Sequence, residues 1–213
     1  MSLWTSSVLG LVLLQTACVQ AQQLNENSKV VAIDAVAIPA EEPPRPLVLG
    51  RRDFDLTQAY FDVFKILSDQ NMCSSFYGGP RSATTVLNSF VTRVKSQPLV
   101  RDVSFQMQGR LTVVHDPAAR RPFRLFQRII VNTDGSFYQR RTDITLKFPP
   151  DVGDFAPGTR AARALILLHE LGHLMEGEDG AWLLPDDGSS KPQSEANTLR
   201  VQQACRKQLD KLK

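Results

Sequence analysis

The sequence predicts an α+β domain: a small antiparallel or mixed sheet with N-terminal helices, followed by a buried helix and a C-terminal helix. Three observations carry this. Apolar residues recur at helical spacing in two segments before residue 95 and in two more after residue 159. Between about Val100 and Phe148 the period drops to two. With 213 residues, 42% of them apolar and 22% charged, the chain can bury one core and keep a polar surface.

Net charge is +3, and the basic residues are scattered in short pairs such as Arg51-Arg52, Arg120-Arg121 and Arg140-Arg141. A nucleic-acid surface needs a denser basic stripe, so nucleic acid is not an expected partner.

Met1–Ala21 carries no charged side chain, has an apolar stretch from Val8 to Leu14, and ends in Val19-Gln20-Ala21. That small-x-small ending fits a signal-peptidase site, with cleavage after Ala21 and a mature protein exported to the periplasm or the cell exterior. The stretch departs from the usual pattern in having no Lys or Arg at its start. Its apolar run is too short and too interrupted to span a membrane. The alternative is lipid anchoring at Cys18, where the pattern wants a Leu three residues earlier and Leu14 stands four earlier. Residues 22–51 hold Pro39, Pro43, Pro44 and Pro46 and read as a tether or strap, with Val30–Ile38 as an added short strand. The folded domain is residues 52–213.

Its first helix is expected over Thr57–Leu67, from the spacing of Tyr60, Val63, Phe64 and Leu67. Cys73–Pro80 is turn-rich, and Pro80 suits the first turn of a second helix. There Ala83, Val86, Leu87, Phe90, Val91 and Val94 form one stripe. In the sheet, Leu111, Val113 and His115 alternate with Thr112 and Val114, and Ile144, Leu146 and Phe148 alternate with Thr145 and Lys147. Asp134-Gly135 signals a hairpin between Arg128–Val131 and Ser136–Gln139. His115 reads as a strand-terminal polar residue. After the Pro149–Gly158 loop, Thr159 is the expected N-cap of a helix over Arg160–Met175. The last helix runs from about Ser194 to Leu212.

Removal of the signal peptide takes Cys18 and leaves Cys73 and Cys205. Two cysteines in an exported chain suggest one disulfide tying the C-terminal helix to the N-terminal half; two unrelated buried thiols are the other reading.

The helix over Arg160–Met175 holds two of the chain's three histidines, four residues apart. Residues at that spacing share a helix face, so His169 and His173 can present both imidazoles to one ion. Glu170 is offset by one and can reach a metal-bound water. Ala164, Leu165, Ile166, Leu167, Leu168, Leu171, Leu174 and Met175 make the helix apolar almost all round, hence buried. Two buried imidazoles and a carboxylate need partners, and a metal supplies one for both histidines. Otherwise the three are core polar residues bonded within the fold.

His169-Glu170-Leu171-Gly172-His173, with its apolar lead-in, resembles the HExxH motif of the zincin metallopeptidases. The wider pattern of Leu184-Pro185-Asp186-Asp187-Gly188, Ser194, Asn197-Thr198 and Cys205 looks like uncharacterised exported bacterial proteins of that class. The resemblance covers about Arg160 to Cys205, under a quarter of the chain. It implies Zn2+ as cofactor, His169 and His173 as ligands, Glu170 as general base, a peptide or protein as substrate, and a sheet edge that holds the substrate extended.

A catalytic zinc takes three protein ligands, and the third is open among three residues. Asp179 stands where a metzincin pattern ends, but Glu176 replaces the required Gly and Gly177 comes one place late. Glu195 fits a gluzincin spacing loosely, yet Leu199 stands where an Asp usually follows. Asp187 lies in a turn able to swing over the helix. The stripe Asn197, Val201, Cys205 and Leu209 brings Asn197 toward the site and turns Glu195 away, which favours Asp187. Asp186 reads as a solvated turn residue. Tyr138 is one candidate for stabilising an oxyanion, and Trp182 for lining a pocket, with plain packing as the other reading of each. The expected activity is zinc-dependent peptide-bond hydrolysis by an exported single-domain protein. The rival is a non-catalytic exported binding module with a structural or vestigial zinc site.

Overall fold

A computed structural model describes residues 44–49, 54–95, 106–130, 135–139 and 149–213. The expected signal peptide, Cys18, most of the strap and the strand at Ile144–Phe148 lie outside the described residues. Helices α1 (Phe54–Ser68), α2 (Met72–Phe76) and α3 (Pro80–Lys95) precede strands β1 (Gln106–Val114) and β2 (Phe123–Ile130), and α4 (Arg160–Leu174) and α5 (Lys191–Leu209) follow. The class is α+β, with a two-stranded antiparallel sheet among the described residues.

Helix α4 is the centre of the packing. Ala161–Leu165, Leu167–His169 and Leu171–Met175 are buried, and only Ile166 and Glu170 are half-exposed within it. Such a segment cannot face water, so α1 and α5 cover it, α3 packs on α1, and β2 lies against α3. Thr159 caps α4 as expected, its hydroxyl accepting from the Ala162 N–H at 3.2 Å. Arg163 is buried in this helix because it is fully engaged: it donates to the Phe137 carbonyl at 2.8 Å and pairs with Asp55 at 3.0 Å. The α4 apolar face thereby meets both α1 and the 135–139 turn.

The turn-rich segment after Cys73 contains a helix of five residues, capped by Asn71 and Ser74 in a reciprocal box. Gly78 and Gly79 both have positive φ, which lets the chain reverse into Pro80 at the start of α3. Just before α1, the Leu47 N–H donates to the Tyr60 hydroxyl at 2.6 Å, and Asn88 donates to the Arg45 carbonyl at 3.1 Å. This end of the predicted strap lies on α1 and α3.

The hairpin differs from expectation. β2 pairs with β1, Val114 opposite Phe123 and Gln106 opposite Ile130, with a bulge between Gln108 and Leu111. The connection is a 3-10 turn at Pro117–Ala119, started by Asp116, whose carboxylate accepts from the Ala118 N–H at 2.8 Å. Ser136–Gln139 is not a strand: the Tyr138 and Gln139 N–H groups both donate to the Gly135 carbonyl, closing a turn. The physical reason is Phe137, which is buried and whose carbonyl is taken by Arg163. Leu111 and Val113 lie on the exposed face of β1, Val114 packs on the core, and His115 ends the strand exposed.

Helix α5 begins three residues before Ser194, at Lys191, because Ser190 caps it and Pro192 occupies its first turn. Cys73 and Cys205 form a disulfide, Cα atoms 4.4 Å apart, joining α2 to α5 across 132 residues. A closure that long stabilises by about 4–5 kcal/mol on the chain-entropy argument. The bridge is compatible with an exported protein. No helix among the described residues is long and apolar enough to cross a membrane.

Candidate metal centre

His169 and His173 project from one face of α4, ring centroids 4.9 Å apart, with their Nε2 atoms 3.0 Å from each other. The loop after α4 folds back over this face. It is drawn down by backbone bonds from Leu183 to the Met175 carbonyl and from Leu184 to the Gly172 carbonyl. Leu184 packs directly over Gly172, which the missing side chain allows. Asp187 then reaches both imidazoles, Oδ2 at 3.2 Å from His169 Nε2 and Oδ1 at 3.5 Å from His173 Nε2.

These separations permit a test of fit. Metal–nitrogen and metal–oxygen bonds of about 2.0–2.1 Å at tetrahedral angles put neighbouring donor atoms roughly 3.3 Å apart. The three observed spacings bracket that value. Among the described residues, His169, His173 and Asp187 form the single His/Cys/Asp/Glu group placed to hold a metal ion. Two nitrogens and a carboxylate suit several divalent ions, and the donor set singles out none.

The outer contacts orient these donors. Thr198 Oγ1 lies 3.0 Å from His169 Nδ1, which leaves Nε2 directed at Asp187 and His173. Ser194 hydrogen-bonds Asp187, and the Asp187 carbonyl accepts from the Ser190 N–H at 2.7 Å. Asn197, buried on α5, donates to the Pro185 carbonyl at 2.9 Å, and Arg200 donates to the Leu183 carbonyl at 2.8 Å. His173 Nδ1 is buried without a well-formed hydrogen bond. Burial disfavours charge on Asp187, but hydrogen bonds from His169, His173 and Ser194 outweigh it and hold the carboxyl well below its ordinary range. Burial likewise opposes protonation of His173, and the Asp187 bond and the Glu170 charge reverse this, so its net shift is upward. Burial pushes the Glu170 carboxyl up.

Glu170 and His169 open onto a cleft of about 660 Å³ between α4, α5 and the 150–154 loop. Ile166, Val152 and Leu199 give it apolar walls. The 150–154 loop is tied to α5 by Gln202, which accepts from the Asp154 N–H at 3.0 Å and donates to its carboxylate at 2.8 Å.

The other sequence candidates stand elsewhere. Glu195 is at the cleft rim, exposed, and pairs with Lys191 at 3.5 Å. Asp179 is exposed and accepts from the Ala181 N–H. Tyr138 packs edge-on against Phe137 and is not among the cleft-lining residues. Trp182 lies under the Arg124 guanidinium, 4.4 Å from ring centre to Cζ, outside the cleft. Asp186 is not merely solvated: it is the carboxylate partner of Arg124. Arg124, Ser194 and Thr198 were not singled out by spacing as contacts of the centre. An arginine between Phe123 and Leu125 in a short strand was the available signal for the first.

No family model, curated protein or solved structure matches the chain.

Proposed function

We propose that this chain is an exported zinc peptidase of the HExxH type, built on a small zincin-like core. One observation supports it above the others: His169, His173 and Asp187 converge to within tetrahedral spacing while Glu170, the next residue along α4, opens onto a cleft. A purely structural site has no need of a carboxylate there.

His169, His173 and Asp187 would hold the ion. Zinc in such a site acts as a Lewis acid toward a scissile carbonyl and lowers the pKa of water. Glu170 is the base that takes a proton from the attacking water onto its carboxylate and passes it to the leaving amine nitrogen. Thr198 holds the His169 ring in place while this happens. The cleft walls of Ile166, Val152 and Leu199 offer apolar surface to the peptide.

The test is metal content of the purified protein, with hydrolysis of a peptide library by wild type and Glu170→Gln. One zinc per chain in both, with turnover in wild type alone, supports the reading. A protein that takes no zinc after reconstitution overturns it. Zinc with no turnover on any peptide leaves a zinc-stabilised binding module.

A further inference from the structure

Arg124 on β2 is 3% exposed, and every face of its guanidinium is occupied. Nε donates to the carbonyl of His173 at 2.6 Å. Nη1 and Nη2 fork onto the two carboxylate oxygens of Asp186, Nη1 at 3.2 Å from Oδ2. The plane lies over Trp182, 4.4 Å from the ring centre, with Phe126 at 5.5 Å. One side chain from the sheet thus grips the last turn of α4 and the residue beside Asp187.

The contacts fall on either side of the centre. The His173 carbonyl belongs to one donor residue, and Asp186 is bonded through the chain to another. The Pro185–Gly188 segment is a surface turn whose Pro185 and Asp187 carbonyls are held by Asn197 and Ser190, and Arg124 adds a hold from the sheet side: Pro185, Asp186 and Gly188 are exposed, and Gly188 has a positive φ of 49°. A turn of that kind samples many conformations unless it is held. A guanidinium is planar and carries five donors, so a fork onto a carboxylate fixes direction as well as distance; an ammonium would fix distance alone. Burying a guanidinium is costly without partners, and the His173 carbonyl and the Asp186 carboxylate take three of its donors.

We propose that Arg124 and Asp186 form a clasp that positions Asp187 over His169 and His173, so that the third donor stands in place before an ion arrives. Arg124 is a positioning residue and touches neither ion nor substrate. The inference rests on the metal reading above.

The experiment is zinc affinity of the full chain, by competition with a chromogenic chelator, for wild type, Asp186→Ala, Arg124→Lys and the double variant. A Co2+-loaded absorption spectrum and the melting temperature of the metal-free protein accompany each. Loss of such outer contacts commonly weakens metal binding by about 10- to 100-fold. The expected result is a loss of that size in each single variant, no greater in the double, with the Asp186→Ala cobalt spectrum shifted from that of wild type. Metal-free Asp186→Ala should melt below wild type, because the buried Arg124 guanidinium loses its carboxylate, so zinc affinities are compared at a temperature where every metal-free variant is still folded. If Arg124→Lys does not fold, Asp186→Ala decides alone. Wild-type zinc affinity and spectrum in Asp186→Ala would overturn the clasp and leave the metal reading standing. A wild type that takes no metal overturns both.

Discussion

Leu184 occupies the space that Gly172 leaves on α4: a Cβ at position 172 would lie 2.5 Å from Leu184 Cδ1 and 2.7 Å from its Cγ. The glycine between the two histidines is therefore what lets the Asp187 loop approach the helix. Gly172→Ala must displace a buried leucine and the loop behind it. The expected cost is about 1–3 kcal/mol of stability from overpacking, read by urea denaturation, together with weaker zinc binding. Unchanged stability and affinity would show that the loop has room to spare.

Glu170 and the donors play separable parts. Glu170→Gln is expected to lower kcat by about 10²–10⁴-fold while zinc content stays at wild type, since the carboxylate faces the cleft and is not one of the converging donors. Asp187→Ala should lose metal first. The two variants assayed side by side, by metal analysis and peptide turnover, check the division.

Tyr77 is buried under α4, and its hydroxyl donates to the Leu168 carbonyl at 2.6 Å. Burial raises its pKa well above 10.0, so the folded state holds this proton more tightly than the unfolded chain does. The stability it contributes is complete below pH 10.0 and is lost as pH rises through the higher folded value. Tyr77→Phe should be less stable by about 0.5–1.5 kcal/mol at neutral pH, from the lost hydrogen bond, and its stability should fall less steeply above pH 10. Equilibrium unfolding from pH 8 to 11 reads both effects, and a parallel alkaline decline in the two proteins would refute the assignment.

The disulfide makes its own prediction. The paired variant Cys73→Ala/Cys205→Ala should lose about 2–5 kcal/mol of stability. Thermal melts with and without reductant check it, since reductant should lower the wild-type melting temperature and leave the variant unmoved.

Much of this was legible in residue patterns that are local. The i, i+4 histidines, the Thr159 cap and the apolar stripe of α3 follow from helix geometry alone. The choice of Asp187 over Glu195 came from the stripe containing Asn197, and Asn197 does hold the carbonyl two residues before Asp187. What escaped was long-range. Asp134-Gly135 is a good local hairpin signal, but β2 pairs backward with β1, and the stretch after Gly135 turns so that Phe137 can be buried. Arg124 reads as a surface residue until β2 is known to run against the end of α4, where Phe123 bridges to Met175. Thr198 stands in the wider pattern that carries the resemblance, but its contact with His169 emerges only when α5 is laid beside α4.

Helix α5 supplies Ser194, Asn197, Thr198 and Arg200 to the centre and is fastened to α2 through Cys205. In order of synthesis it follows every other donor and contact described. The histidines consequently leave the ribosome with α1 and β2 already made but without the contacts from α5, which form when that helix docks and Cys205 bridges to Cys73. A chain ending at Gly188 carries every metal donor yet should compete poorly for zinc against a chelator, whereas the same chain mixed with a peptide spanning α5 should recover affinity in part. Ion capture would then belong to the end of folding, in the compartment where cysteines become bridged.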